Sequence, residues 1–174
     1  KLGDPRSASL IAIHAQGIPT VFPPAALAQA ARAKPATAEG REDLRELPIV
    51  TIDGADARDF DDAVMAVADD DPANPGGFKL VVAIADVAYY VRPDDALDRS
   101  AYERGNSCYF PDRVVPMLPE RLSNELCSLR PDEDRPTLVA HIVIGADGRK
   151  RAHRFARATI RSAQRFTYER IQAI

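Results

Sequence analysis

Aspartates crowd one short stretch of the sequence, directly after an apolar segment. Five of the ten residues from 53 to 62 are aspartate, and Arg58 is the only basic residue among them. Crowded carboxylates repel and raise one another's pKa, so a fold tolerates them on a wet surface or around a divalent cation. Carboxylate oxygens suit Mg²⁺ or Mn²⁺, and such sites hydrolyse phosphodiesters by activating water. The cluster therefore indicates a metal site, with a solvated acidic loop as the alternative.

The spacing of the aspartates limits how they can be brought together. In an extended backbone Asp59 and Asp61 point to the same side and Asp62 points away, so a turn or bulge is needed to collect them. Asp53 stands at the end of the β-branched segment Ile49–Ile52, which is typical of a strand. A strand end followed by a returning loop would bring Asp53 near Asp61 and Asp62, forming a carboxylate cage for one or two metals.

Two other aspartate motifs do not fit this stretch. A Ca²⁺-binding EF-hand loop started at Asp59 would place Ala63 at an acidic position and would lack its required glycine. An aspartyl-phosphatase motif would place Asp-x-Asp directly after an apolar strand. Here Asp59-Phe60-Asp61 follows Ala57-Arg58 instead.

Basic residues are concentrated near the other end of the sequence. The formal net charge is -3, yet residues 149–170 hold eight Lys or Arg and one acid. Arginine suits bidentate phosphate contacts, so this basic segment predicts a track for a nucleic-acid backbone, with Arg149, Arg151 and Arg154 as candidate contacts. The alternative is a solvated basic face that pairs with acids elsewhere, and composition leaves both open.

Short strands and helices must position these residues, without regular βαβ alternation. This pattern favours an α+β fold, with a mixed, mostly antiparallel sheet and flanking helices. The turn signal Ala146-Asp147-Gly148 predicts a hairpin. The predicted strands are Ile49–Ile52, Leu80–Val91, Leu138–Ile144 and 149–162; the predicted helices are Pro24–Ala33, Asp94–Arg104, Pro119–Leu129 and a last one capped by Thr167.

Composition excludes several classes of protein. Hydrophobic residues make up 45% and charged residues 28% of 174 residues, so the chain is not disordered over its whole length. No apolar run reaches the ~18 residues of a membrane span. Two cysteines without a CxxC spacing argue against a disulfide scaffold or a thiolate zinc site. A cytoplasmic location is the simplest expectation.

The acidic stretch and several later blocks carry a family resemblance. Thr51-Ile52-Asp53 followed by Asp59-Phe60-Asp61-Asp62-Ala63 resembles the signature of the RNB catalytic domain of the ribonuclease II and ribonuclease R family. Further family-like blocks follow in order at residues 104–111, 115–119 and 122–129, and the lead-in at 14–19 is similar to the ribonuclease R branch.

The resemblance implies a processive 3′→5′ exoribonuclease that uses Mg²⁺, or Mn²⁺ as the alternative. It would hydrolyse single-stranded RNA from the 3′ end and release nucleoside 5′-monophosphates. All four family aspartates would belong to the metal site: Asp53 and Asp62 as ligands, Asp61 as the acid that activates water, and Asp59 as the residue that orients the metal shell. Asp59 and Asp61 would thus be catalytic. The family's RNA-stacking tyrosine falls on Tyr109, with a core aromatic as the alternative.

The resemblance also predicts a domain organisation. Residues 1–40 would be a lead-in with a helix and a linker, and residues 41–174 the N-terminal half of an RNB domain. The second half is expected to be missing, with an arginine-bearing segment that would stabilise the transition-state phosphate. The flanking cold-shock-like and S1-like domains are expected to be missing too. Two alternatives stay open: a catalytically inactive RNA-binding fragment, and a divalent-cation-binding protein unrelated to RNA.

Overall fold

The structure, a computed structural model, describes residues 5–174. Its contacts divide the chain into two units. The helical unit comprises the residues up to 34 together with 88–125, and the sheet unit comprises 35–87 together with 126–174. The elements in chain order are α1 (Pro5–Ala15), α2 (Pro24–Arg32), β1 (Glu42–Asp43), β2 (Val50–Asp53), β3 (Asp62–Ala68), β4 (Phe78–Ala85), α3 (Val87–Tyr90), α4 (Ala96–Arg104), β5 (Cys108–Phe110), β6 (Arg113–Val115), a π-helical turn (Arg121–Leu126), β7 (Asp134–Ile144), β8 (Lys150–Arg161), β9 (Gln164–Thr167) and α5 (Tyr168–Gln172).

The sheet unit is built on a seven-stranded mixed sheet. Its strand order is β1-β8-β7-β4-β3-β2-β9. The pairs β1–β8 and β2–β9 are parallel, and the other neighbours are antiparallel. The predicted fold class, a mostly antiparallel mixed sheet with flanking helices, is therefore confirmed.

The middle strands hold together because one face of the sheet is apolar and buried. Val81 and Ala83 of β4 and Val139 of β7 are 5%, 0% and 0% exposed, respectively. The register places Ala83 opposite both Ala63 of β3 and Val139, so these small and β-branched side chains pack in one row. This packed row fixes β3, whose first residue, Asp62, belongs to the acidic cluster.

The β7–β8 hairpin forms where the sequence predicts it. Gly148 has φ +74°, a backbone conformation that glycine adopts without steric cost. β7 begins four residues before its predicted start, at Asp134, and β8 is one residue shorter than predicted at each end. The register shifts near the turn, because Val143 pairs with Ala152 and Ile144 pairs with Lys150. Arg151 is therefore the extra residue of a β-bulge.

Helix ends in the helical unit follow the capping signals. The Asp95 side chain accepts a hydrogen bond from the Asp98 backbone N–H (2.7 Å), so Asp95 caps α4 at its N-terminus. Gly105 ends the helix with φ +75°. α2 has Pro24 in its first turn and buries Ala26. The helices predicted at these two places are confirmed with bounds shifted by one or two residues.

Two predicted elements differ from the structure, and an observed strand was not predicted. The strand predicted over Leu80–Val91 ends at Ala85, because Asp86 turns inward to pair with Arg41 (2.7 Å) and a short helix follows. The helix predicted over Pro119–Leu129 is a single π-helical turn, since the backbone of Leu129 donates to the carbonyl of Phe60 instead of continuing a helix. β3 was not predicted at all.

The predicted domain boundary at residue 40 is not settled by these contacts and stays a prediction. Among residues 5–174, no helix combines the length and apolar character needed to cross a membrane.

Candidate functional site

Two neighbouring strands of the sheet unit carry the acidic cluster at adjoining ends. Asp53 is the last residue of β2 and Asp62 is the first residue of β3. These strands are antiparallel neighbours, paired at Val50 and Val64. The end of one therefore lies beside the start of the other, and Asp59 and Asp61 lie on the loop that joins them. This loop is the turn that the spacing of Asp59, Asp61 and Asp62 in the sequence required.

The four carboxylates lie close enough to act on one another electrostatically. Burial raises the pKa of Asp53, and the negative charge of Asp62 is the next cause, with smaller effects from Asp61 and Asp59. Desolvation also raises the pKa of Asp61, although the residue is exposed, and the charges of Asp59 and Asp62 raise it further. The structure thus brings together all four aspartates that the sequence predicted, and they repel one another.

One oxygen of this cluster lacks a partner. The Oδ2 atom of Asp53 is buried and accepts no hydrogen bond. A buried carboxylate oxygen without a donor is costly, and a bound cation would satisfy it. The donor set, carboxylate oxygens alone, is the chemistry that Mg²⁺ prefers. Within residues 5–174, however, no three His, Cys, Asp or Glu side chains converge as they stand in a way that could hold a metal ion.

The loop that carries Asp59 is attached to a segment nearly seventy residues further along the chain. The backbone N–H of Phe60 donates to Oγ of Ser128 (3.1 Å), and the backbone N–H of Leu129 donates to the carbonyl of Phe60 (2.8 Å). Phe60 is buried, as are both partners. The Ser128 side chain and the Leu129 backbone, at the end of the family-like block at 122–129, therefore hold the backbone of the acidic loop in place.

Arg165 is a site residue that sequence reasoning missed. Its guanidinium donates to the carbonyls of Gly54 (2.8 Å) and Ala55 (3.0 Å), directly after Asp53, and lies 4.8 Å from the centre of the Phe60 ring. Its positive charge lowers the pKa of Asp53 against the larger effects that raise it. The sequence places Arg165 in the basic segment but contains no signal that links it to a loop about a hundred residues earlier.

Tyr109 belongs to the helical unit, whereas the aspartates belong to the sheet unit. It lies on β5, paired with Val114 of β6 in a two-stranded hairpin. Its side chain is 64% exposed. This exposure excludes the core-aromatic alternative, while RNA stacking by Tyr109 stays a prediction.

Acidic partners hold much of the basic segment. The guanidinium of Arg154 donates to both carboxylate oxygens of Glu42 at 2.8 Å, and Arg151 pairs with Asp147 at 3.1 Å. Arg149 is exposed. Further along β8, Arg157 pairs with Asp86 and Arg161 with Asp134. Pairing with acids, the alternative that composition left open, is thus present in the structure, and nucleic-acid contacts by Arg149, Arg151 and Arg154 stay a prediction.

Comparison with known proteins gives a consistent family. The family model described as RNB domain matches residues 41–174. Ribonuclease R of Acidithiobacillus ferrooxidans is 53% identical over 168 residues, which cover 94% of this chain and 37% of that protein. Ribonuclease R of Escherichia coli is 48% identical over 165 residues, covering 92% of this chain and 20% of that protein. The chain therefore spans well under half the length of these curated relatives.

The fold agrees with this assignment. The structure of Mycoplasma genitalium RNase R in complex with double-stranded RNA matches with a TM-score of 0.89 and 35% identity, covering 98% of this chain and 30% of that one. The family-model match includes β1 to β9 and all four aspartates of the acidic cluster. The chain belongs to the RNB domain family.

Proposed function

We propose that this chain supplies the acidic metal site of a 3′→5′ exoribonuclease, which hydrolyses single-stranded RNA to nucleoside 5′-monophosphates with Mg²⁺. The observation that carries the proposal is the cluster of Asp53, Asp59, Asp61 and Asp62 in a chain of the RNB domain family. The relatives named ribonuclease R and the RNA held by the Mycoplasma protein support RNA as the substrate.

The chain's own residues would divide the work as follows. Asp53, with its unpartnered buried oxygen, and Asp62, at the start of β3, would hold the cation. Bound Mg²⁺ would supply a Lewis acid that polarises the phosphate and lowers the pKa of a water molecule. Asp61 would orient and deprotonate the attacking water. Asp59 would position the other carboxylates from the loop that Phe60 attaches to Ser128.

The hydrolysis itself needs no further reactant than water. The water oxygen forms a bond to the phosphorus of the terminal linkage, and the bond from phosphorus to the 3′ oxygen of the preceding ribose breaks. The proton that the water loses is balanced by the one that the departing 3′ oxygen gains. The terminal nucleotide leaves with a 5′-phosphate.

A chimera tests the catalytic proposal. These residues would replace the matching segment of the Acidithiobacillus ribonuclease R, and single-stranded RNA labelled at its 5′ end would be digested with Mg²⁺. We expect stepwise shortening from the 3′ end, and a loss on the order of 100-fold or more in rate for Asp61→Asn, with RNA binding retained. Asp56→Asn, a change in the same loop outside the predicted set, serves as the matched control. Normal turnover of the Asp61→Asn chimera would remove Asp61 from the mechanism.

A second candidate is an RNA-binding module without activity of its own. It is favoured by the absence, among residues 5–174, of three acidic side chains that already converge on a cation position. The 174-residue chain would be mixed with 3′-labelled single-stranded RNA and Mg²⁺. Binding that weakens steeply with salt, without cleavage, would support this candidate. Release of labelled mononucleotide that a chelator abolishes would contradict it.

A further inference from the structure

The helical unit has an open cavity that no part of the proposed hydrolysis uses. Its volume is about 430 Å³, within the range of roughly 300–1,000 Å³ typical of small-molecule sites. It lies between the C-terminal end of α2 and the segment that begins with α3. None of the four clustered aspartates lines it. The lining residues are Gln29, Arg32, Ala33, Lys34, Tyr89, Tyr90 and Arg92.

The charged side chains that line the cavity all have the same sign. Arg32, Lys34 and Arg92 carry positive charge, are exposed, and belong to the lining, and no acid among residues 5–174 does. In the part of the chain that the structure describes, none of the three forms an ion pair. Three cations around one concave surface, none of them in an ion pair, favour an anionic ligand.

One carboxylate, Asp95, is hydrogen-bonded to two residues of the lining. Asp95 accepts hydrogen bonds from the backbone N–H groups of Arg92 (2.8 Å) and Asp98 (2.7 Å), and from the side-chain amide of Gln29. Together these donors lower the pKa of Asp95, although burial opposes them. Asp95 therefore stays ionised at the rim of the cavity, where it holds Gln29 and the Arg92 backbone without forming an ion pair with Arg32, Lys34 or Arg92.

Aromatic and amide groups complete the lining. The rings of Tyr89 and Tyr90 are edge to face with centroids 5.0 Å apart, and the Arg92 guanidinium carbon lies 5.8 Å from the centre of the Tyr89 ring. The amide oxygen of Gln29 accepts from the Leu97 backbone N–H at 3.2 Å. Since Gln29 bonds through both amide atoms, the cavity wall is held in one arrangement. A partly exposed tyrosine beside cations suits a planar ring joined to a phosphate.

We propose that this cavity is a nucleotide-binding site, in which Arg32, Lys34 and Arg92 bind the phosphate and Tyr89 contacts the base. The ligand chemistry is a nucleoside phosphate, and its source is either a free nucleoside 5′-monophosphate or one nucleotide within an RNA strand. The site does not depend on hydrolysis by the aspartates, so it stands or fails separately from the proposed function.

An NMR titration of the isotope-labelled 174-residue chain with AMP tests the proposal. We expect shifts of the amide resonances of Lys34, Tyr89 and Arg92, with adenosine producing shifts at least fivefold smaller at equal concentration. Arg92→Ala should weaken AMP binding at least fivefold. Arg121→Ala, which removes an exposed arginine of the same unit outside the cavity, should change it less than twofold. Asp56→Asn, a change in the sheet unit outside both the cavity lining and the predicted metal site, should leave the AMP-induced shifts of the cavity residues unchanged.

A second arm distinguishes the two sources of the nucleotide. An oligoadenylate of ten nucleotides would replace AMP in the same titration. Shifts of the cavity residues with the oligonucleotide and not with AMP would support the site and assign it to an RNA strand. Shifts with AMP alone would assign it to the mononucleotide. Equal responses to inorganic phosphate and AMP, or no response of the cavity residues to either nucleotide, would overturn the proposal.

Discussion

At the scale of single residues, the acidic cluster is the costliest feature of the chain. Asp53 and Asp61 both have a raised pKa, because each loses water and faces other carboxylates. For an aspartate, a folded pKa above the unfolded value means that ionisation opposes folding, so stability falls as the pH rises through the folded pKa. Such a cluster is expected where a cation offsets the repulsion, which is the physical basis of the proposed metal site.

Removing one of these charges should stabilise the metal-free chain. We expect Asp61→Asn to raise the melting temperature by roughly 1–3 °C in EDTA at neutral pH, a small effect because Asp61 is exposed and partly screened. Differential scanning calorimetry would measure it. Adding Mg²⁺ should stabilise the parent chain more than the variant. Asp56→Asn is the matched control, and an equal rise for it would show that general acidity rather than the cluster is responsible.

The two cysteines should differ sharply in reactivity. Cys127 is 2% exposed, and burial raises the pKa of its thiol to about 12, with the Asp61 charge as the next cause. Cys108 is half-buried on β5. Because the thiolate is the nucleophile, iodoacetamide at pH 8 should label Cys108 and spare Cys127 in the native chain. Mass spectrometry should find one label per native chain and two in guanidinium chloride; rapid native labelling of Cys127 would contradict its burial.

At the scale of elements, the acidic loop depends on contacts from distant strands. β9 runs parallel to β2 and places Arg165 opposite Thr51, from where it reaches the carbonyls of Gly54 and Ala55. Ser128 binds the other side of the loop through the Phe60 backbone N–H. The position of the aspartates is therefore set by strand order and not by their own sequence.

Replacing Arg165 should loosen the acidic loop. Arg165→Ala removes two hydrogen bonds and a cation–π contact, so we expect a loss of about 1–3 kcal/mol in unfolding free energy. Amide hydrogen exchange of residues 54–60 should accelerate more than exchange in β4. Arg149→Ala, an exposed change in the same basic segment, should leave both quantities nearly unchanged. Unchanged exchange in Arg165→Ala would mean that the loop is held by Ser128 and Leu129 alone.

At the scale of the whole molecule, charge pairs join strands that are far apart in sequence. Arg41 pairs with the buried Asp86 at 2.7 Å, and both side chains are nearly inaccessible. Arg45 binds Asp43 and Asp134, and Arg154 binds Glu42. These pairs connect the segment around β1 to β7, to β8 and to Asp86, the residue that follows β4, so ion pairs close the sheet unit at that edge.

Breaking the buried pair should be far more damaging than breaking an exposed one. Arg41→Ala leaves the Asp86 carboxylate buried, with Arg157 3.6 Å away as a weaker partner, and we expect a loss of about 3–5 kcal/mol. Arg121→Ala, which breaks an exposed pair with Glu125, should cost about 0.5 kcal/mol or less. Urea unfolding would measure both. If Arg41→Ala also prevents folding, the double change Arg41→Met with Asp86→Leu should restore it.

Acid should weaken the same edge of the sheet unit. Arg45 lowers the pKa of Asp43 to about 2, and Arg154 lowers the pKa of Glu42 against a smaller opposing effect of burial. Burial raises the pKa of Asp134, but its hydrogen bonds to Arg161 and Arg45 together outweigh burial and leave the pKa lowered. A lowered folded pKa contributes stability above the unfolded value, which is lost as the pH falls through the folded value. The urea concentration at the unfolding midpoint should therefore decrease as the pH is lowered from 5 to 2. Asp43→Asn should show a smaller fall, and an identical fall would assign the effect to other carboxylates.

Local signals in the sequence were sufficient for much of this protein. The β-branched run before Asp53, the Asp-Gly turn and the Thr167 cap act within a few residues, so their structures could be predicted without the fold. The ordered family-like blocks were sufficient for the family, because they preserve residue types at fixed spacing. The end of β4 at Ala85 was missed because a buried ion pair, Arg41 with Asp86, ends that strand. β3 was missed because the aspartates at its start hid its strand pattern.

The sequence by itself determined which side chains are acidic, which segments extend and which family they resemble. The tertiary structure alone decided that Arg165 and Ser128 hold the loop of Asp59, that the arginines of β8 face acids, and that three cations surround a cavity beside Tyr89. The physical reason is range. Propensity and capping act between neighbours along the chain, whereas hydrogen bonds and charges act between groups that only strand order and packing bring together.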